Sequence, residues 1–340
     1  MSLTKKLLSL LATVSMLAAG GVLALRAAQP AAPASPAAAV AIDPILRGAI
    51  DLHSHLDPDG YGPGHNGRAL DVMDMAKLAE AAGMRGFVIK MHYDQTADDA
   101  YLVRKQFPKL EVFGGIGSNF ATGGMNPAAI RQMADVKGGW GRVVWMPTWD
   151  AKHYVEHNGN NRPFITVVKN GQLVPEARAV IATLAELNGK TRGSKGNLVL
   201  ATGHNAPEEV LLIVKEARAL GLQVLVTHPL LESVGMNMAQ MQQAVKMGAY
   251  LEFVTAFTRS AATTKEYVEA IREIGPQYCI VSSDKGQGRG EEGHDGPAQS
   301  PVDGLSEAAQ VLRKNGFNDA DLTLMFKTNP AKILGLPLTG

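Results

Sequence analysis

Eight short apolar runs, separated by amphipathic stretches, are the feature of this sequence that most restricts its fold. Each run is five or six residues long, as single strands are, and the apolar residues between the runs recur at helical spacing. We predict strands at Ala49–His53, Gly86–Met91, Glu111–Ile116, Arg142–Met146, Asn197–Thr202, Gln223–Thr227, Ala249–Val254 and Tyr278–Ser283. The predicted helices between them include Val72–Ala82, Pro207–Leu220, Met238–Met247, Thr264–Ile274 and Val302–Asn315.

This alternation favours one fold class. Eight strands that alternate with helices predict an α/β protein with a (β/α)8 TIM-type barrel over residues 41–340. A doubly wound open sheet is less consistent, because no glycine-rich phosphate motif follows the first run. The longest insertion, between the fourth and fifth predicted strands, contains Asn170-Gly171, which predicts a β-hairpin. Glycines follow five predicted helices at the position where helices end: Gly83, Gly221, Gly248, Gly275 and Gly316.

The N-terminal residues have the pattern of an export signal. Lys5-Lys6 precede an uncharged stretch that ends before Arg26, and an Ala/Pro-rich stretch follows. We therefore predict a signal peptide or N-terminal anchor in residues 1–26 and a linker in residues 27–40. The protein is then periplasmic or secreted, with the membrane contacted only through an uncleaved N-terminal segment.

Charge and cysteine content exclude several functions. The net charge of +1 gives no basic surface for nucleic acid, so we expect a small-molecule substrate. Cys279 is the single cysteine, which rules out a thiolate metal cage within one chain. The sequence leaves a homo-oligomer open.

Histidines cluster at the ends of the predicted strands. His53 and His55 are two residues apart, so in a regular strand both face one side while Leu52 and Ser54 face the other. His204, His228 and Asp284 follow the fifth, sixth and eighth predicted strands. In a TIM-type barrel these C-terminal strand ends form the active site. Four imidazoles and one carboxylate suit one or two divalent metal ions, zinc above all, and metal-activated water with Asp284 as proton acceptor predicts a hydrolase.

This order of ligands resembles the amidohydrolase superfamily, over the chain from about Ala49 to Leu336. The segments Asp51–His55, Ile89–His92 and Val144–Thr148 are similar to a subgroup described only as a domain of unknown function. The resemblance implies metal-dependent hydrolysis of an amide, lactone or ester bond in a small molecule, and it implies no particular substrate.

One departure from the superfamily concerns a lysine. Binuclear members usually carry a carboxylated lysine on the fourth strand, which here ends Trp145-Met146-Pro147-Thr148. Lys90 on the second strand can reach the same space, either as a carboxylated metal ligand or as a charged group paired with Asp284, Glu252 or an anionic substrate. Without the bridge, His53, His55, His204 and Asp284 hold a single ion and His228 lies behind it or contacts substrate. The candidate substrate-binding residues are His92, Trp145 and Glu252.

Two other functions stay open. A metal-dependent phosphoesterase on a related barrel also begins with two histidines, but such enzymes tend to end in Asp-x-His, whereas Lys285 and Gly286 follow Asp284 here. A non-catalytic exported binding barrel needs no proton acceptor, and Asp284 argues against it.

Overall fold

The computed structural model describes residues 42–60, 67–190, 196–287 and 299–338. The predicted signal peptide or anchor and the predicted linker lie outside these residues. Among the described helices, none is long and apolar enough to cross a membrane.

Eight parallel strands form a TIM-type barrel, which confirms the predicted fold class. The strands lie in the order β1-β2-β3-β4-β7-β8-β9-β10. Their bounds are β1 Ile50–His55, β2 Gly86–Lys90, β3 Glu111–Gly117, β4 Gly141–Trp145, β7 Val199–Ala201, β8 Gln223–Val226, β9 Tyr250–Val254 and β10 Cys279–Ser282. Each predicted strand is present, with ends that differ by at most two residues.

Helices follow the strands and cover the outside of the barrel. Their bounds are α1 Val72–Ala81, α2 Ala97–Gln106, α3 Pro127–Asp135, α4 Lys152–His157, α5 Pro175–Lys190, α6 Pro207–Ala219, α7 Met238–Lys246, α8 Ala261–Ile274, α9 Pro301–Lys314, α10 Asp319–Thr323 and α11 Asn329–Ile333. A π-helical turn, Leu324–Thr328, joins the last two. Short 3-10 turns lie at Pro44–Leu46, Phe120–Thr122, Thr255–Thr258 and Pro276–Tyr278. The five predicted helix-ending glycines all have positive φ, as that position requires.

The predicted hairpin is also present. Strands β5 Val168–Lys169 and β6 Gln172–Leu173 pair antiparallel around Asn170 and Gly171. Both turn residues have positive φ, 52° and 71°, as a two-residue type I′ turn requires.

The segment that follows β10 closes the barrel onto β1. The amide of Asp284 donates to the carbonyl of His53 at 2.9 Å, and the amide of His55 donates to the carbonyl of Lys285 at 2.8 Å. This closure brings Asp284 beside the two histidines, although 229 residues separate it from His55. The last helix and the residue after it, through Ala331, Ile333 and Leu334, pack onto the apolar interior of the barrel.

Strand β1 departs from regular alternation. Leu52 packs in the barrel interior with Ile50, and the β1–β2 register shifts between Asp51 and Ser54. The expectation that Leu52 faces away from the histidines is therefore wrong. Because of this irregularity, the apolar side chains of the barrel interior and the two histidines lie on the same side of β1. Bulges of this kind recur beside active sites.

Candidate metal centre

Three side-chain atoms converge at the barrel mouth. The Nε2 atoms of His53 and His55 are 3.2 Å apart, and each lies 3.1 Å from Oδ1 of Asp284. Both histidines stand at the end of β1, and Asp284 follows β10. These three residues form a group able to hold a metal ion.

The spacing of this group is that of ligands around a single metal ion. Ligand atoms around a tetrahedral zinc ion, with bonds of about 2.0–2.1 Å, lie roughly 3.3 Å from one another. The observed separations of 3.1–3.2 Å therefore match one shared divalent ion. The donor set, two imidazoles and a carboxylate, also suits zinc, so the residues fit the metal that the sequence predicts.

Glu252 fixes the orientation of His53. Its Oε2 lies 3.1 Å from Nδ1 of His53, and both side chains are fully buried. A carboxylate on Nδ1 keeps the proton on that nitrogen and leaves the Nε2 lone pair directed at the ligand cluster. Glu252 does not line the cavity, so it does not have the position of the substrate-binding residue that the sequence predicts.

A second histidine pair faces the first. Nε2 of His204 lies 3.2 Å from Nε2 of His228, and the rings of His228 and His53 stack with centroids 5.9 Å apart. Lys90 reaches the first pair from β2, with Nζ 2.7 Å from Nε2 of His53. The structure thus brings together all six residues that the sequence proposed for the metal.

The backbone is unusual at two of these positions. In the described part of the chain three non-glycine residues have positive φ, namely Asn170 in the hairpin turn, His228 at 22° and Asp284 at 49°. Such conformations are costly and concentrate at functional sites. Two candidate ligands are therefore held in backbone conformations that the surrounding fold must enforce.

Charge in the cluster favours a cation. Burial and Lys90 lower the pKa of His53, but Asp284 and Glu252 outweigh them and raise it to about 8. Burial raises the pKa of Asp284, yet its ion pairs and hydrogen bonds with His53 and His55 hold that pKa well below its usual range. Burial lowers the pKa of Lys90 to about 8 and that of His228 to about 4. Two ionised carboxylates, Asp284 and Glu252, thus lie beside the imidazole of His53, which a metal can bind once that ring loses its extra proton.

A cavity of about 600 Å³ opens onto the cluster. Its floor includes His55, Lys90, His204, His228 and Asp284, and its walls include His92, Trp149, Tyr154, Arg259 and Tyr267. His92, a predicted substrate contact, thus lies on the wall. Trp145, another predicted contact, is fully buried in the barrel interior beneath the site, where its ring lies 5.6 Å from Nζ of Lys90. A volume of this size accommodates a small organic molecule.

Two residues at the site escaped the sequence analysis. Asn119 and Thr148 lie just beyond β3 and β4, are fully buried, and connect to His92 through hydrogen bonds. Their position after a strand end was the available signal. That signal is weak in the sequence alone, because asparagine and threonine are common in loops.

Comparison with solved structures places the fold among those of amidohydrolases. An amidohydrolase from Pseudomonas aeruginosa superposes with a TM-score of 0.54 at 11% identity, over 85% of this chain and 97% of the other. A β-aspartyl dipeptidase from Fervidobacterium islandicum AW-1 gives 0.55 at 15% identity, over 87% and 79%. An amidohydrolase from Mycoplasma synoviae gives 0.53 at 13% identity, over 88% and 91%. The expected resemblance to the amidohydrolase superfamily is confirmed at the level of the fold.

The sequence itself identifies a family. No curated protein sequence matches this chain. Residues 48–252 match the profile of the Family of unknown function (DUF6282), and the chain belongs to that family. The matched segment includes the candidate ligands from β1 through β8 and ends at Glu252, before Asp284.

Proposed function

We propose that this protein is a metal-dependent hydrolase that cleaves an amide, lactone or ester bond in a small molecule. The observation that carries the proposal is the convergence of His53 Nε2, His55 Nε2 and Asp284 Oδ1 within 3.1–3.2 Å of one another beside an open cavity. The fold shared with amidohydrolases supports it.

His53, His55 and Asp284 would hold the ion, most favourably zinc, and His204 and His228 would complete its coordination or hold a second ion. When bound, such a metal supplies Lewis acidity, which lowers the pKa of water and polarises a carbonyl group. Glu252 keeps His53 oriented as a ligand.

Asp284 has the position to move a proton. Its carboxylate borders the cavity next to the histidine cluster. In hydrolysis, Asp284 takes a proton from the attacking water as the new C–O bond forms. It returns that proton to the leaving nitrogen or oxygen as the scissile bond breaks, so the enzyme ends unchanged.

The test combines metal analysis with three carbonyl probes and one phosphate probe. Purified protein would be analysed for bound metal, supplied with zinc or manganese, and assayed with p-nitrophenyl acetate, dihydrocoumarin, an N-acyl p-nitroanilide and bis(p-nitrophenyl) phosphate. We expect bound transition metal and hydrolysis of a carbonyl probe. Asp284→Asn should lose at least about 100-fold in kcat. The control Asp74→Asn, at an exposed pair with Lys77 on α1, should lose none.

Three results would overturn the proposal. A protein that neither holds metal nor hydrolyses any probe is not this enzyme. Hydrolysis of the phosphate probe alone would identify a phosphoesterase. Tight metal binding without turnover of any probe would identify a binding barrel.

A further inference from the structure

His92 is held on the cavity wall between the two histidine pairs. Its ring stacks on that of His55 with centroids 5.0 Å apart, and it lies 6.2 Å from the ring of His204. The edge of Trp149 packs against it at 5.2 Å. Its Nδ1 lies 3.0 Å from Oγ1 of Thr148, and Nε2 makes no hydrogen bond within the described residues. One ring nitrogen is therefore anchored in protein, while the other is available to the cavity.

The orientation of Asn119 sets the direction of these hydrogen bonds. Its Oδ1 accepts from the backbone amides of Thr148 at 3.0 Å and Asp150 at 3.2 Å, and backbone amides can only donate. Its Nδ2 end must therefore donate, and it does so to Oγ1 of Thr148 at 2.8 Å and to the carbonyl of His92 at 2.9 Å. Both ends of this amide are fixed by their partners.

The bond from Asn119 determines which partner the hydroxyl hydrogen of Thr148 can reach. Oγ1 accepts from Asn119, and among the described residues its other partner is Nδ1 of His92. Thr148 is fully buried, and among the described residues its hydroxyl hydrogen has no acceptor other than Nδ1 of His92. Because a buried hydroxyl that donates to nothing is costly, we assign the hydrogen to this bond, with Nδ1 as the acceptor. A neutral imidazole that accepts at Nδ1 carries its proton at Nε2, the nitrogen that is available to the cavity.

We propose that His92 is a neutral hydrogen-bond donor that binds the substrate's carbonyl oxygen through Nε2–H, and that Thr148 and Asn119 are positioning residues that fix its proton there. The assignment rests on the proposed hydrolysis of a carbonyl compound. Negative charge develops on that oxygen as water adds to the carbon, so a preorganised donor stabilises the transition state more than the ground state. The proton stays on His92 throughout, because the leaving group receives its proton from Asp284.

The kinetic test compares His92 and Thr148 variants of the metal-loaded enzyme on whichever carbonyl probe the wild type hydrolyses. We expect His92→Ala to lower kcat by about 100-fold with little change in KM, as loss of a single oxyanion donor does. Thr148→Val should lower kcat by about 10-fold, and Thr148→Ser, which keeps the hydroxyl, should restore it. The double variant His92→Ala/Thr148→Val should be no slower than His92→Ala, because Thr148 acts through His92.

A matched control tests whether the loss of any buried threonine hydroxyl lowers kcat. Thr183 on α5 is 5% exposed and does not line the cavity, so Thr183→Val should leave kcat unchanged. Wild-type kcat in Thr148→Val, or additive losses in the double variant, would overturn the assignment.

A second readout does not need activity. Two-bond ¹H–¹⁵N correlation spectra of the ¹⁵N-labelled protein, recorded without metal, report which ring nitrogen carries the proton. We expect His92 to carry it on Nε2 in the wild type and in Thr148→Ser, and to shift toward Nδ1–H in Thr148→Val. A proton on Nδ1 in the wild type would refute the hydrogen-bond direction whatever the kinetics. A wild type that hydrolyses no probe would instead refute the proposed function and, with it, the substrate contact.

Discussion

Glu252→Gln isolates what a buried carboxylate contributes to the candidate metal centre. Glutamine has nearly the same shape, and its amide oxygen can still accept the Nδ1 proton of His53, so the ring keeps its orientation while the negative charge is lost. Glu252→Ala removes the charge and the hydrogen bond together. The two variants therefore separate electrostatic support from orientation.

The size of the effect follows from the surroundings of His53. Its pKa is raised from 6.5 to about 8 against the effects of burial and Lys90, with Asp284 and Glu252 responsible. The rise corresponds to a stabilisation of the protonated, cationic imidazole over the neutral one by about 2 kcal/mol. Loss of a carboxylate behind a histidine ligand typically lowers metal affinity 10–100-fold, or about 1.4–2.7 kcal/mol, and we expect Glu252→Gln to fall in that range. Glu252→Ala should weaken binding further.

Competition between the protein and a chromogenic zinc chelator at pH 7.5 measures this affinity. Glu266→Gln is the control, because Glu266 borders the same cavity and lies outside the His53–His55–Asp284 group. Circular dichroism melts would show that each variant is folded. Zinc affinity within twofold of wild type in both Glu252 variants would refute the role assigned to Glu252.

Three further results are expected. A carboxylated Lys90 that bridges two ions predicts that Lys90→Met lowers the metal content of the loaded enzyme from two ions to one and abolishes a ¹³C carbamate signal after labelling with ¹³C-bicarbonate. Unchanged metal content would make Lys90 a charged side chain instead. Zinc affinity should rise about tenfold per pH unit up to about pH 8, because zinc must displace the proton that His53 holds below that pH. Calorimetry in buffers of different ionisation enthalpy should therefore record release of that proton at about pH 7 and little release at about pH 9. Gly286→Ala should destabilise the fold by about 2–4 kcal/mol, because φ is +106° and the new Cβ would lie 1.8 Å from the carbonyl oxygen of His55. In chemical denaturation Gly171→Ala, with positive φ but no atom within 4 Å, should cost only about 1–2 kcal/mol, and equal losses at both glycines would contradict the close-contact argument.

Local signals predicted the eight barrel strands well, because most of them are short apolar runs followed by glycine or polar residues. The predicted Gly86–Met91 strand, for example, ends one residue later than the observed β2. The candidate histidine ligands could also be predicted, because they lie at the C-terminal ends of the predicted strands and a barrel has its active site there. Trp145 shows the limit of this reasoning. It lies near the C-terminal end of the fourth strand as expected, yet its side chain packs beneath the site, because the direction of a side chain depends on the strand's register within the closed barrel.

The sequence alone therefore determined the fold class and the chemical character of the site, because strand length, helical spacing and residue type are local properties. Tertiary structure decided which groups act on one another. Glu252 orients His53 across 199 residues, and Asn119 and Thr148 fix His92 through hydrogen bonds between successive strand ends. These pairings arise only when the barrel closes and each strand takes its register, since a shift of one residue turns a side chain to the other face.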